Sequence, residues 1–335
     1  MKESTNAPDW RNLHGDAFAR QRVLVTGGAG FIGSHLIEAL LVLGADVVAL
    51  DDLSGGSWDN LAGLAGGERV RQVTASVTDA GAVRKAINGC RFVFHEASLA
   101  SVPQSVAEPK RYYDVNLGGT LVVADAAREA KVQRLVFAGS SSAYGDPPDP
   151  SAKHEALPPL PVSPYASSKT ACEELLRAWS HSYPLDTAVL RYFNVFGHRQ
   201  NANSAYAAVI AAFANALAED RRPIIFGDGE QTRDFVFVKN VVHANLLAAR
   251  HPRPVMGEVF NVATGTTVTV NQLFRGIAAA MGKPNVQPEY RPPRTGDVRH
   301  SSADVGKAKR VLGYEPIVGF DDGLRTTVEW YARRA

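Results

Sequence analysis

Short apolar runs alternate with helical patterns through the first two thirds of the chain. "VLVT", "DVVAL", "RFVFHEA", "RLVFAGSS" and "DTAVLRYFNVFG" are strand-length runs with few polar residues, the mark of strands covered on both faces. Between them, "GAVRKAIN", "YYDVNLGGTLVVADAAREA" and "YASSKTACEELLRAWSHS" carry apolar residues at helical spacing. Such alternation predicts an α/β fold, a parallel sheet with helices on both faces. After about Val195 the rhythm changes. "NSAYAAVIAAFANALAED" predicts a helix, "RPIIFGDGEQTRDFVFV" a strand, a turn and a strand, and "VFNVATGTTVTV" buried strand again. "DDGLRTTVEWYARR" closes the chain as a helix, and "DPPDPSAKHEALPPLP" reads as an ordered surface loop.

The expected organisation follows. Residues 1–20 form a polar leader arm. Residues 21–194, with about 236–264, form a nucleotide-binding domain, and 195–235 with 265–335 form a smaller C-terminal α/β lobe. The chain has 335 residues, 45% hydrophobic and 21% charged, with a net charge of +2. That is ample for a large core. The charge gives no pull toward nucleic acid or an anionic membrane. The two cysteines, Cys90 and Cys172, match no metal spacing and read as buried thiols in a reducing compartment. No run is long and apolar enough to span a membrane, and the first residues lack the apolar core of a signal peptide. A cytoplasmic location is the expectation, and no metal is expected.

Two motifs carry chemistry. "RVLVTGGAGFIGSHLIEALLVLGADVVALDD" reads strand, glycine turn, helix, strand. Gly27 turns the chain, Gly30 admits a pyrophosphate, and Gly33 lets helix and sheet approach. The helix N-terminus then offers free N–H groups to phosphate. Asp51, at the end of the second strand, suits two ribose hydroxyls and repels a 2′-phosphate, which favours NAD over NADP. With this motif the expected sheet is a Rossmann-type, doubly wound one. In "SPYASSKTACEELL", Ser163 caps a helix, Pro164 suits its first turn, and Tyr165 and Lys169 share one face. A phenol titrates near pH ~10. A nearby ammonium and the positive charge of an oxidised nicotinamide favour the phenolate, making Tyr165 a plausible base for an alcohol proton. The run Ser140, Ser141, Ser142 at a strand end offers a hydroxyl to orient the substrate.

On these residues the chain resembles the extended short-chain dehydrogenase/reductase family. The resemblance covers residues from about 22 to 333 through TGGAGFIG, Asp51, "VNLGGT", "SSSAYGD", Tyr165-x-x-x-Lys169, "LRYFNVFG", "GDGEQTRDFV" and "RTGDVRHSSAD". Within it the chain looks most like the UDP-sugar 4-epimerases, nearest the group handling UDP-GlcNAc and UDP-GalNAc. The resemblance implies a catalytic set of Tyr165, Lys169 and Ser140. It implies cofactor contacts from Gly27, Gly30, Phe31, Ile32, Gly33, Asp51, Asp52, Leu53, Ser76, Val77, Ala97, Ser98, Asn116, Tyr165, Lys169 and Phe193. For the UDP-sugar it implies Ala100, Ser101, Ser140, Ser141, Ser142, Asn194, Ala207, Arg233, Arg294, Asp297 and Ser301. Two arginines on a diphosphate make chemical sense, because guanidinium matches phosphate oxygens bidentately. Ser76 stands where many relatives have an acid, and Ala100 where some have a lysine. The resemblance also implies a homodimer built from the "YYDVNLGG" and "YASSK" helices.

The shared first step is oxidation at the sugar C4. A 4,6-dehydratase usually has an Asp-Glu pair after the catalytic Ser/Thr, and a decarboxylase usually a glutamate near it; this chain has Ser141 and Ser142. Epimerisation is therefore the expected outcome. Ser301 replaces a tyrosine that narrows strict glucose/galactose sites, and Ala100 and Ala207 are small, so an N-acetyl group should fit beside the plain hexose. UDP-glucuronate is a further candidate through Arg299 and His300. A dehydratase or decarboxylase with unusual acid/base groups, and a non-catalytic NAD-binding regulator, are the alternatives.

Overall fold

The computed structural model describes residues 8–146, 152–200, 209–293 and 299–333. The first part runs through α1 (Trp10–His14), β1 (Arg22–Thr26), α2 (Phe31–Val42), β2 (Asp46–Asp51), β3 (Val70–Thr74), α3 (Ala80–Ile87) and β4 (Phe92–His95). Then come α4 (Val102–Ala107), α5 (Pro109–Tyr112), a π-helical segment (Tyr113–Gly118), α6 (Gly119–Glu129), β5 (Arg134–Ser140), α7 (Pro164–Ser182) and β6 (Asp186–Tyr192). The rest comprises β7 (Val195–Phe196), α8 (Val209–Ala218), β8 (Ile224–Phe226), β9 (Thr232–Arg233), β10 (Val236–Phe237), α9 (Val238–Arg250) and β11 (Glu258–Val262). It ends with β12 (Val268–Thr269), α10 (Val270–Ala280), β13 (Glu289–Arg291), β14 (His300–Ser301), α11 (Gly306–Leu312) and α12 (Phe320–Ala332).

One seven-stranded sheet, in the order β11-β6-β5-β4-β1-β2-β3, organises the molecule. Every pairing in it is parallel. The chain winds one way from β1 to β3 and the other way from β4 to β11. The reversal opens a crevice beyond the C-terminal ends of β1 and β4, where such sheets bind ligands. Alternate residues feed two cores. Val23, Val25, Phe92, Phe94, Val136 and Leu190 face α2 and α9; Leu24, Val93, Leu135 and Val189 face α3, α6 and α7. Each fully buried side chain of this size stabilises the fold by about 1.5–3 kcal/mol. A separate core joins α8, α10 and α12 to β8 and β10, through Phe213, Ile225, Phe237, Leu273, Phe274 and Val328.

Three expectations need correction, and two elements, α9 and β3, have no counterpart among the expected ones. The run "DTAVLRYFNVFG" is two strands, because Asn194 has φ +26° and ends the β6 direction. The segment "RPIIFGDGEQTRDFVFV", read as a strand, a turn and a strand, holds three short strands, none paired with another of the segment. β8 pairs with β13, β9 with β12 and β14, and β10 with β7. The apolar run after β10 is the helix α9, buried along all but its last residue; its helical spacing of Val238, Val241, Val242 and Leu246 is masked by the strand-like "DFVFV" that leads into it. β3 carries no strand signal in the sequence because it is a half-exposed edge strand. The leader segment is also no loose arm. Phe18 is fully buried and lies edge-on to Phe92, with ring centres 5.5 Å apart. His14 Nε2 lies 3.1 Å from His243 Nδ1, and Arg250 Nε donates to His14 Nδ1 at 3.1 Å. Both cysteines are buried free thiols. No helix among the described residues is long and apolar enough to cross a membrane.

Because Phe18 belongs to the sheet core, Phe18→Ala should lower stability by about 3–5 kcal/mol. Urea unfolding followed by circular dichroism measures this. A change below about 1 kcal/mol would mean that the leader segment is detachable.

Candidate active site

The crevice begins at the glycine turn. Gly27 has φ +66°, and a Cβ there would lie 2.8 Å from Ala97 N. At Gly33 a Cβ would lie 2.1 Å from Gly27 O, so α2 packs against the turn only with glycine at this position. Gly30 caps α2 without a side-chain hydrogen bond, which leaves the first N–H groups, at Phe31 and Ile32, for an anion. Asp51 is nearly buried at the end of β2 and braces the turn: Oδ2 accepts from Ala29 N at 3.0 Å and Oδ1 from Leu53 N at 2.8 Å. Burial pushes its carboxyl above the ordinary range, against these bonds. Each oxygen keeps a second lone pair for a ribose hydroxyl. Asp52 and Leu53 are exposed beside it, Leu53 with φ +62°. The Ser76 hydroxyl is shared with Thr78 at 2.8 Å, and Val77 packs under Gly119. A tight turn, an uncapped helix start and a carboxylate one strand away fit a dinucleotide.

Sequence reasoning missed the hydrogen-bond chain that holds this turn to the rest of the site. Ala97 N donates to Thr26 Oγ1 at 3.2 Å, and Thr120 Oγ1 donates to Asn116 O at 2.6 Å. His95 bridges the two hydroxyls, Nδ1 to Thr26 at 2.7 Å and Nε2 to Thr120 at 3.1 Å. Donor counting then makes His95 neutral, with its proton on Nε2. Burial agrees, bringing its pKa down to about 3. Asn116 itself clamps the loop after β4: Oδ1 accepts from Leu99 N at 2.9 Å and Nδ2 donates to Ser168 Oγ at 3.0 Å. Ala97 and Ser98 line that loop, Ala100 is exposed, and Ser101 caps α4.

The catalytic candidates converge at the ends of β5 and α7. Ser163 caps α7 by accepting from Ala166 N at 3.1 Å, with Pro164 in the first turn. Tyr165 is half-buried, and its hydroxyl lies near Ser140. Ser140 and Ser142 share a hydrogen bond of 2.8 Å, and Ser141 lies between them, half-buried. Burial pushes the Tyr165 phenol above its ordinary value, while Ser140 pulls it down. Lys169 Nζ donates to Ala138 O at 2.8 Å and lies 4.7 Å from the Phe137 ring centre, and burial lowers its pKa. The ammonium is anchored to β5. One turn further, the buried Glu173 pairs with Arg191 of β6, 2.6 Å between Oε2 and Nη2. The Arg191 guanidinium also covers the Tyr144 ring, 4.5 Å from its centre.

Beyond β6 a cavity of about 270 Å³ opens. Its walls are apolar, including Phe196, Ile225, Phe226 and Phe235, and Asn194 and Arg233 stand at its polar end. Asn194 Nδ2 donates to Asp234 O at 3.0 Å. Ser301 of β14 pairs in register with Arg233 of β9 and is nearly buried. Asp234, which the sequence did not flag, is fully buried and accepts from Thr264 N and Oγ1 and from Gly265 N. The Phe193 side chain is fully buried against Tyr144, so only its main chain can face a cofactor. Ala207, Arg294 and Asp297 lie outside the described residues. No cluster of His, Cys, Asp and Glu among the described residues could hold a metal.

A doubly wound sheet with this crevice and a Tyr-Lys helix over β5 defines an NAD-dependent enzyme of the extended short-chain dehydrogenase/reductase class. The chain belongs to the NAD dependent epimerase/dehydratase family, whose model matches residues 23–263. It is 40% identical over 321 residues to a UDP-glucose 4-epimerase of Mycolicibacterium smegmatis, covering 94% of this chain and 99% of that one. A UDP-N-acetylglucosamine 4-epimerase from Methanobrevibacter ruminantium M1, solved in complex with UDP-N-acetylmuramic acid, superposes with a TM-score of 0.89 at 39% identity, covering 95% and 100% of the two chains. A Thermus thermophilus UDP-glucose 4-epimerase in complex with NAD gives 0.83 at 36% identity, covering 93% and 99%.

The Glu173–Arg191 pair fixes the helix that carries Tyr165 and Lys169. Glu173→Gln should cost roughly 3–5 kcal/mol by leaving a buried guanidinium without its anion. Denaturant unfolding reads this, and a loss below about 1 kcal/mol would assign the anchoring to other contacts.

Proposed function

We propose that the protein is a UDP-sugar 4-epimerase that inverts the C4 hydroxyl of UDP-hexoses, UDP-GlcNAc/UDP-GalNAc as well as UDP-Glc/UDP-Gal. The observation that carries this is the meeting of the Tyr165 phenol with the Ser140 hydroxyl at the end of β5, beside Ser141 and Ser142. The site pairs one phenol with serine hydroxyls, and the residues after Ser140 supply no carboxylate for chemistry at C5 or C6. The glycine turn, Asp51 and Lys169 would hold NAD at the crevice, where it would supply a reversible hydride acceptor for C4. Ser140 would hold the 4-hydroxyl, and Tyr165 would accept its proton and return it to O4 when the turned 4-keto sugar takes hydride on the opposite face of C4. Lys169 holds the nicotinamide ribose. The apolar cavity receives the uracil ring, and Arg233 at its polar end serves the diphosphate.

The small Ser301 beside Arg233 supports room for a C2 N-acetyl group. The glucuronate reading has less support: Arg299 is ion-paired to Asp228 at 2.9 Å, and His300 bonds to Thr232 at 3.1 Å. Exposed Tyr113 and Leu121, with Trp179 Nε1 buried and without a hydrogen-bond partner among the described residues, support a homodimer through α6 and α7. Light scattering should give twice the chain mass; a monomer at micromolar concentration would refute it.

Chromatography and mass spectrometry of UDP-GlcNAc and UDP-Glc incubations should each show a new peak of unchanged mass. A product lighter by water or carbon dioxide would establish a dehydratase or decarboxylase instead. Tyr165→Phe should lower turnover by at least about 10²–10⁴-fold and leave UDP binding intact. Ser301→Tyr should cut UDP-GlcNAc conversion roughly ten- to a hundredfold and spare UDP-Glc. Equal losses on both sugars would mean that Ser301 does not set substrate size.

A further inference from the structure

One carboxylate at the crevice has no part in these steps. Glu96 directly follows β4, and its main chain packs on the glycine turn. Glu96 N donates to Thr26 O at 3.2 Å, and a Cβ on Gly27 would lie 3.0 Å from the Glu96 carbonyl carbon. The residue is half-buried, but Oε2 is closed off from solvent and has no hydrogen-bond partner among the described residues. Oε1 is the end of a directional chain. Asn245 Nδ2 donates to Tyr192 Oη at 2.7 Å, and Tyr192 Oη donates to Oε1 at 2.9 Å. Both donors point toward the carboxylate, the arrangement that suits its anion. The groups facing Glu96 are the Tyr192 hydroxyl from β6, the Asn245 amide beyond it on α9, and the Lys169 ammonium from α7, which lies within electrostatic reach.

Resting on the reading that the Tyr165–Lys169 end receives the nicotinamide, two cations meet there: the Lys169 ammonium and the oxidised ring. Two such charges repel unless an anion lies close by. We propose that Glu96 is a positioning residue for the oxidised cofactor, the buried counter-charge that lets the nicotinamide and Lys169 share one end of the crevice.

The protonation of Glu96 supplies the test. Burial pushes its pKa up to about 7, against the downward pull of the Tyr192 bond and of Lys169. Tyr192 is held far above its ordinary value and does not titrate in this range. A cation arriving beside Glu96 favours its ionised form, so by linkage the cofactor is held more tightly above pH 7 and less tightly below it. The NAD-loaded enzyme is mixed with deuterium-labelled NAD at pH 6 and pH 8, and exchange is followed by mass spectrometry of the bound cofactor. The wild type should release NAD up to about fivefold faster at pH 6 than at pH 8, the ratio given by up to one unit of pKa displacement. Glu96→Gln should release it quickly at both pH values. Tyr192→Phe, which removes a bond that stabilises the anion, should move the transition to higher pH and keeps the test decisive if Glu96→Gln does not fold. A Glu96→Gln enzyme with the wild-type pH dependence, or a Tyr192→Phe enzyme with an unmoved transition, would overturn the proposal. The exchange needs only bound NAD. An enzyme that holds NAD in this pH-dependent way and converts no UDP-sugar would refute the proposed function and leave this inference standing.

Discussion

The site depends first on where α7 sits over the sheet. Two contacts determine this. Lys169 Nζ is tied to the Ala138 carbonyl of β5, and one turn on, Glu173 is paired with Arg191 of β6. Both are buried, so sliding α7 would strand an ammonium or a guanidinium without a partner, at a cost of several kcal/mol. With α7 held at two points on adjacent strands, the Tyr165 hydroxyl is brought to Ser140. Lys169 thus has a structural duty that its place in a Tyr-Lys motif does not reveal: it fixes the helix that carries its neighbour.

Three polar residues do for the loops what Glu173 and Arg191 do for α7. Asp51 ties the glycine turn to the end of β2, Asn116 ties the loop after β4 to α7, and Asp234 ties β9 to the loop after β11. Each is buried, and each spends its capacity on main-chain or nearby polar groups. Loops at the C-terminal edge of a parallel sheet have no ladder to hold them, so their polar groups need such partners. The rigidity of the crevice is therefore set mostly by side chains that touch no sugar.

This division explains what is legible in the sequence. The central strands, the glycine turn and the Tyr-Lys helix announce themselves through apolar runs and fixed spacing. β3 does not, because it is a half-exposed edge strand, and α9 is masked by the strand-like apolar run that leads straight into it. The short strands β7 to β10 read as continuous because apolar composition says nothing of partners, and their partners are far away in the chain. His95, Thr120 and Asp234 stay silent for the same reason. A polar residue in an apolar run is a weak signal, and its meaning lies in partners up to tens of residues away, such as Thr26 for His95. Phe193 shows the converse. Its position beside the crevice is legible, but its burial against Tyr144 leaves only its main chain to serve there.

The electrostatics of the catalytic end follow from the same anchoring. Lys169 spends one donor on Ala138, and burial lowers its pKa. Burial raises the phenol, and Ser140 opposes that only in part. Tyr165 is therefore a poor base by its own surroundings. Its proton becomes easy to lose only when a further positive charge enters the crevice, and the charge that does so is the oxidised ring that must accept the hydride. Base strength and oxidant then arrive together. Burial favours the protonated phenol, and a bound oxidised nicotinamide would both favour the phenolate and supply the hydride acceptor. That is the electrostatic logic an epimerisation with no net redox requires.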